Sequence, residues 1–126
     1  MSDPFASASP GMIPLPQSGT AFVRAGGDWR QSAPGFFEIP VLDDGATGLR
    51  TVVMKMEPGA YSPPHSHDHL EQIFVIQGEF YDADRHYGAG DFLVRLAGTP
   101  HIAGTREGAT MLVTYIPQKK ASEGVA

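Results

Sequence analysis

Short apolar runs alternate with turn-forming residues along the chain from Thr20 onward. Runs of alternating apolar and polar residues predict half-buried strands, and the Gly, Pro and Asp residues between them predict turns. The pattern predicts about eight or nine short strands at spacings near ten residues, which is typical of an antiparallel sandwich or barrel. The candidate strands are residues 20–25, 36–42, 49–57, 71–77, 79–82, 91–96, 101–105 and 109–116.

The predicted fold class is all-β, because no long stretch carries a helical stripe free of Gly and Pro. We expect the two glycine-bounded stretches, residues 59–78 and 90–101, to be neighbours in an antiparallel jelly-roll β-barrel. The 126 residues are enough for a single domain with one core. We expect an irregular N-terminal arm at residues 1–19, the barrel at residues 20–117 and a C-terminal tail at residues 118–126. The proline-rich arm cannot be helical, and it is either a mobile tail or packed on a partner subunit.

Charge and composition exclude several classes of function. The net charge is −5 and the basic residues are scattered, so we expect no nucleic-acid partner. No apolar run is long enough for a membrane span and the N-terminus lacks the pattern of a secretory signal, so we expect no membrane partner. The chain has no cysteine. This excludes disulfides, thiolate ligands and a cysteine nucleophile, and it is consistent with a cytoplasmic location.

Three histidines and a glutamate carry the candidate chemistry. His65 and His67 are two residues apart, so both imidazoles face the same side of an extended strand. The Pro-Pro pair before them favours that extended geometry. Glu71 opens the next apolar run, and His101 begins a separate candidate strand. We therefore expect His65, His67, Glu71 and His101 to bind one metal ion inside the barrel.

The mixed imidazole and carboxylate set suits a divalent transition metal better than Mg or Ca. Four ligands on a six-coordinate ion would leave two positions for a bidentate substrate, or for a substrate and dioxygen. Glu71 and His69 are the candidate catalytic residues. Glu71 would set the charge of the site and could take up a proton. His69 shares the parity of His65 and His67, and it could be a further ligand, a proton carrier beside the metal or a surface residue.

Strand parity also predicts the wall of a substrate pocket. If Glu71 points inward, then Ile73 does too, while Phe74 and Ile76 point outward and need cover from a second layer or another subunit. Core packing is the alternative role for the methionines and aromatics in this set. The expected pocket residues are Arg50, Val52, Met54, Met56, Tyr61, Ile73, Phe92, Ala103 and Tyr115.

Two motifs give the chain a resemblance to the cupin superfamily. Gly59, His65, His67, Glu71 and Gly78 have the spacing of the first cupin motif, G-x5-H-x-H-x3,4-E-x6-G. The second motif, G-x5-P-x-G-x2-H-x3-N, is matched at three positions and departs from the pattern at two others. The matches are Gly90, Gly98 and His101, and the departures are Leu96 for Pro and Thr105 for Asn. Neither departure falls on a position that ligates metal in the family.

The resemblance implies a small single-domain cupin barrel, a bound metal and frequent homodimers. Residues 78–92 resemble both the cupin domains of zinc-dependent anti-sigma factors and small iron dioxygenases that cleave acetylacetone-like or hydroxyacetophenone-like substrates. We expect a non-haem Fe(II) dioxygenase that acts on a β-dicarbonyl or a hydroxylated aromatic ketone, with Zn, Mn or Ni as alternative metals. Two other functions stay open: a metal-dependent isomerase or lyase of a small polar metabolite, and a non-catalytic ligand-binding or sensing cupin.

Overall fold

The computed structural model describes residues 19–118, so the expected N-terminal arm and C-terminal tail lie almost entirely outside the described residues. Within that range, no helix is long and apolar enough to cross a membrane. Residues 19–118 form nine β-strands, which are β1 Arg30–Ala33, β2 Phe36–Asp44, β3 Leu49–Met56, β4 Tyr61–His65, β5 His69–Tyr81, β6 His86–Gly88, β7 Phe92–Arg95, β8 His101–Gly104 and β9 Ala109–Pro117.

The strands belong to one curled sheet in the order β1-β2-β3-β9-β5-β8-β4, and β6 and β7 also pair with β5. Each of these pairs is antiparallel. The predicted all-β antiparallel class is therefore confirmed. β5 is the longest strand, with 13 residues. Its residues 69–78 pair with β9 and residues 71–74 also pair with β7, whereas residues 79–81 pair with β6 and Tyr81 also with β8, so this one strand joins both sides of the barrel.

β5 continues through Gly78, where the sequence predicted a break between two strands. Gly78 has a φ of +79°, a conformation that glycine adopts without steric cost. The register of β5 against β9 also shifts between Val75 and Gln77. An irregularity of this kind bends a strand without ending it. The predicted end of the strand is therefore a bend.

The predicted strand at residues 20–25 does not form. The edge of the sheet beside β2 is occupied by β1 instead, where no strand was predicted. Phe22 is 39% exposed and Val23 is half-buried, so residues 20–25 contribute no fully buried apolar side chain to the core. β6 also forms where no strand was predicted, with His86 opposite Tyr81 of β5.

Inner side chains lie in rows that cross neighbouring strands. The first row is apolar and buried, and it consists of Val52, Val113 and Ile73. The next row is polar, and it consists of Arg50, Tyr115, Glu71 and Arg95. Because both rows share one face of the same strands, the interior changes from apolar to polar within two residues along each strand. The candidate site lies at this polar end.

The outward side chains of β5, β7 and β9 form an exposed apolar surface. Phe74 lies opposite Phe92 on β7 and Leu112 on β9. The exposed fractions of the members range from 37% for Leu112 to 66% for Leu96. We call this surface the outer apolar face, and it consists of Phe74, Ile76, Phe92, Val94, Leu96 and Leu112.

Replacing Gly78 with Ala tests whether the bend in β5 is required. An added Cβ would collide with the backbone of Gly108 and Ala109, and the positive φ would add strain. We expect Gly78→Ala to lower the free energy of unfolding by about 3 kcal/mol in urea titrations. Gly59→Ala is the matched control, because Gly59 has a similar φ of +82° but no atom near the added Cβ. Equal losses in the two variants would contradict this account.

Candidate metal centre

Three histidines converge at the polar end of the barrel. His65 at the end of β4 lies opposite His101 at the start of β8, and His67 follows in the connection to β5. Their ring centroids are 4.3, 4.9 and 5.2 Å apart. One potential ligand atom from each lies within 4.8 Å of the others, so these three side chains could hold one metal ion.

Backbone carbonyls fix two of these imidazoles. The Nδ1 of His65 donates to the carbonyl oxygen of Pro63 at 2.8 Å, and the Nδ1 of His101 donates to that of Thr99 at 2.9 Å. In both cases the acceptor lies two residues before the histidine and a proline stands between them. Because a carbonyl oxygen can only accept, the proton is on Nδ1 and the Nε2 lone pair is available to a metal.

Burial lowers the pKa of His67 and of His101 below the ordinary value for histidine. For His67 the charge of Glu71 opposes this effect, and for His101 the hydrogen bond to Thr99 opposes it. Burial prevails in both residues. Their imidazoles are therefore neutral near pH 7, which is the form that binds metal.

Glu71 lies beside the histidines, but a buried arginine holds its carboxylate. Its Oε1 is 3.7 Å from Nε2 of His101 and its Oε2 is 3.8 Å from Nε2 of His67. Arg95 Nη1 donates to Glu71 Oε1 at 2.9 Å. The carboxylate can accept hydrogen bonds at this position, and its direct ligation of a metal stays a prediction.

Arg95 joins Glu71 to a second carboxylate, because its Nη2 donates to Asp82 Oδ2 at 3.1 Å. The three side chains are only 7–8% exposed, and we call them the carboxylate–arginine chain. The sequence analysis missed Arg95 and Asp82. Arg95 could have been found from strand alternation, because it lies two residues after Leu93 and therefore faces the same, inner side of β7. Nothing local pointed to Asp82, because its pairing with Arg95 depends on how β5 and β7 fold together.

Asp82 is held in place by four donors. Burial raises its pKa, but hydrogen bonds from the Tyr87 hydroxyl, the backbone N–H groups of Asp84 and Arg85, and Arg95 outweigh burial and keep the pKa below its ordinary value. Burial and the contact with Asp82 in turn raise the pKa of Tyr87 to about 12. At neutral pH the pair is therefore a carboxylate that accepts from a protonated phenol, at 2.7 Å.

Tyr115 lies on the other side of Glu71. Burial and the charge of Glu71 raise the pKa of Tyr115, so its hydroxyl stays protonated and can donate. Its ring is 5.6 Å from that of His67 and 6.4 Å from that of His69. His69 is half-buried and lies outside the three-histidine group, and none of its expected roles is tested by this placement.

The histidines open into a cavity of about 280 Å³. Five of the expected pocket residues line it, together with the four expected metal ligands. These are Met54, Met56, Ile73, Ala103 and Tyr115, with His65, His67, Glu71 and His101. The sequence analysis missed the rest of the wall, which consists of Ser32, Ala33, Phe36, Glu38, Ser62, Phe80, Arg95, Met111 and Val113.

Four expected pocket residues lie elsewhere. Val52 faces inward but is fully buried in the core. Tyr61 is 50% exposed. Phe92 is 59% exposed and belongs to the outer apolar face, because the inward-facing residues of β7 are Leu93 and Arg95. The Arg50 guanidinium pairs with Glu38 at 2.6 Å. Arg50 therefore does not line the cavity itself but lies behind two residues of its wall, Glu38 and Tyr115, whose ring centroid is 6.0 Å from the guanidinium carbon.

The low pKa of Asp82 gives a prediction about acid stability. The pKa of Asp82 is lower in the folded protein than its ordinary value near 3.8. Ionised Asp82 therefore stabilises the fold at pH values above 3.8, and this contribution is lost as the pH falls through the folded-state pKa. We expect Asp82→Asn to lower the free energy of unfolding at pH 7 by about 2 kcal/mol and to flatten its decline from about pH 5 to about pH 3.

Urea titrations at several pH values measure both effects. Asp84→Asn, at an exposed side chain in the same loop, is the control and should behave as the wild type. An unchanged acid decline in Asp82→Asn would contradict the assigned role of this carboxylate.

Comparisons with solved structures support the fold. KdgF from Halomonas sp. is 27% identical with a TM-score of 0.65, and the match covers 79% of this chain and 96% of that one. Two structures below 25% identity share the fold alone. The anti-sigma factor ChrR of Rhodobacter sphaeroides, solved in complex with SigE, matches at 23% identity and a TM-score of 0.58, over 69% of this chain and 47% of that one. The polyketide cyclase RemF of Streptomyces resistomycificus matches at 22% identity and a TM-score of 0.59, over 67% of this chain and 66% of that one.

No curated protein is significantly similar to the chain. The family comparison is more specific, since residues 20–119 match the model of the ChrR cupin-like domain. This match includes both histidine motifs and all nine strands. The chain belongs to the family of ChrR-like cupin domains.

Proposed function

We propose that this chain is a metal-dependent enzyme, a non-haem Fe(II) dioxygenase that cleaves or oxidises a small chelating organic substrate. A β-dicarbonyl or a hydroxylated aromatic ketone fits the proposal. The observation that carries it is the convergence of three imidazoles at the polar end of an otherwise apolar cavity. Such a cavity can take the oxygen atoms of a substrate at one end and its carbon skeleton at the other.

The donor set fits a divalent transition metal. His65, His67 and His101 would hold the ion through neutral imidazole nitrogens, with Glu71 as the fourth group expected from the sequence. Fe(II) would supply a Lewis acid and a one-electron donor to dioxygen. Zn, Mn or Ni would suit the same donors.

The protein side chains would bind and orient the substrate. The protonated Tyr115 hydroxyl can donate a hydrogen bond to a substrate oxygen, and Glu71 can accept one. Met54, Met111 and Val113 form an apolar wall that would contact the carbon skeleton and exclude water from it. With a volume of about 280 Å³, the cavity suits a small molecule.

Two other functions use the same site. A metal-dependent isomerase or lyase of a small polar metabolite gains support from the Arg50–Glu38 ion pair beside the cavity, which offers polar contacts to such a ligand. A non-catalytic sensing cupin gains support from the match to the ChrR cupin-like domain. The absence of cysteine suits a reducing compartment, so a cytoplasmic location is part of the proposal.

Elemental analysis of the purified, untagged protein tests the metal site. We expect about one equivalent of iron after anaerobic reconstitution of the wild type, and loss of that iron in His101→Ala because one of the three imidazole ligands is missing. His86→Ala is the control, because His86 is exposed and pairs with Glu79 outside the site. No bound metal in the wild type would contradict the proposal.

Oxygen uptake with a β-dicarbonyl then distinguishes the three functions. Iron-dependent consumption of dioxygen together with substrate supports the dioxygenase. Turnover with Ni, Mn or Zn and without dioxygen would favour the isomerase or lyase. Binding of substrate to the metal-loaded protein without turnover would favour the sensing cupin.

We also propose that the chain forms a homodimer through the outer apolar face. Six large apolar side chains exposed together on one surface are typical of an interaction site. We expect light scattering to give twice the mass of one chain for the wild type and the mass of one chain for Phe92→Glu, which would place a charge in the interface. Arg106→Glu, at an exposed loop outside this face, is the control. A monomeric wild type would contradict the proposal.

A further inference from the structure

A second carboxylate lies in the cavity wall, away from the histidines. Glu38 on β2 is opposite Met54 on β3, which is in turn opposite Met111 on β9, and all three side chains line the cavity. On β3, Met54 and Arg50 lie on opposite sides of Val52. The row that contains Glu38 is therefore separated from the polar row by the apolar row of Val52, and its neighbours on β3 and β9 are methionines.

Two arginines hold one oxygen of this carboxylate. Arg50 Nη2 donates to Glu38 Oε1 at 2.6 Å, and Arg30 Nη2 is 3.8 Å from the same oxygen. Within residues 19–118, Oε2 accepts no hydrogen bond, yet no buried side-chain polar atom in that range lacks a partner. Oε2 is therefore not enclosed by protein. Since Glu38 lines the cavity and only 12% of its side chain is exposed, this oxygen is open to the cavity.

A role in stability alone does not explain this placement. A buried ion pair is often no more stabilising than apolar side chains of similar volume. An apolar residue at position 38 would also complete the wall that Met54 and Met111 form. A carboxylate with one free oxygen instead offers a strong hydrogen-bond acceptor to a ligand, and it disfavours any ligand that covers this oxygen without donating to it.

We propose that Glu38 is a specificity-determining residue that selects chelating ligands with a hydroxyl or amine N–H on the part of the skeleton away from the metal. This role rests on the proposed binding of a chelating ligand at the histidines. A cavity of about 280 Å³ holds one small molecule, so a ligand that fills it contacts both the histidines and Glu38. A β-dicarbonyl or ketone with a further hydroxyl is therefore favoured over one with an entirely apolar skeleton.

Probes that differ by one hydroxyl test this role. Benzoylacetone is a β-dicarbonyl with an apolar ring, and its meta- and para-hydroxyphenyl analogues place a donor at the far end of the skeleton. Calorimetric titration of the zinc-loaded protein measures their binding. We expect the wild type to bind the better hydroxylated probe roughly tenfold or more tightly than benzoylacetone, because only the hydroxylated probe donates to the charged acceptor.

Glu38→Met should lose this preference and bind benzoylacetone at least as tightly as the wild type does, because the wall becomes apolar. Asp43→Asn is the matched control, since Asp43 also pairs with Arg50, at 3.8 Å, but does not line the cavity. It should keep the preference. A merely structural role for the Glu38–Arg50 pair would change stability and leave the ratio of the two affinities as it is in the wild type.

Equal affinities of the wild type for benzoylacetone and both hydroxylated probes would overturn the role of Glu38 while the binding of chelating ligands stands. A preference that survives in a folded Glu38→Met would do the same. Should that variant fail to fold, the methoxyphenyl analogues decide, because they cannot donate and should bind the wild type no more tightly than benzoylacetone. No binding of any probe would overturn the proposed chelation and the role of Glu38 together.

Discussion

The ladder between β5 and β9 supports both the core and the candidate site. It runs from His69 opposite Pro117 to Gly78 opposite Ala109. Along it the inner side chains change from Val75 and Ile73 in the core to Glu71 at the histidines. A shift of this register by one residue would turn the inner face outward, so the same hydrogen bonds that close the core also place the carboxylate.

Charge balance is the second constraint on this interior. The polar row brings charged side chains of both signs into a barrel with an apolar core, and the buried charges in and beside this row are paired. Glu71 and Asp82 share Arg95, and Glu38 pairs with Arg50. The described residues contain no buried side-chain polar atom without a hydrogen-bond partner. Paired charges tie adjacent strands together and also determine which groups remain free to meet a ligand.

The parts of this structure that were predictable from sequence depend on local geometry. The inward Ile73 and the outward Phe74 follow from strand parity alone. His65 and His67 converge as predicted, although His67 lies in the connection after β4 and not on a strand. The spacing of two motifs was enough to indicate a cupin barrel. Tyr61 and Phe92 were misplaced because an aromatic residue suits either face of a strand, and only the register of β7 assigns Phe92 to the outside.

Other features depend on contacts between distant segments. The Arg95–Asp82 pair joins β7 to the loop after β5, and no local pattern in the sequence specifies it. Residues 20–25 alternate like a strand, but β1 occupies the available edge of the sheet. The sequence predicted that a strand ends at Gly78, but β5 only bends there, where Gly78 has a positive φ. In each case the sequence permitted more than one structure and the tertiary packing selected one.

A crystal structure of the cobalt-loaded protein, with anomalous diffraction at the cobalt edge, tests the central claim most directly. The account predicts one strong peak about 2.1 Å from the Nε2 atoms of His65, His67 and His101, with the Nδ1 atoms of His65 and His101 still bonded to Pro63 and Thr99. A peak elsewhere, or no peak with the three imidazoles turned apart, would contradict it.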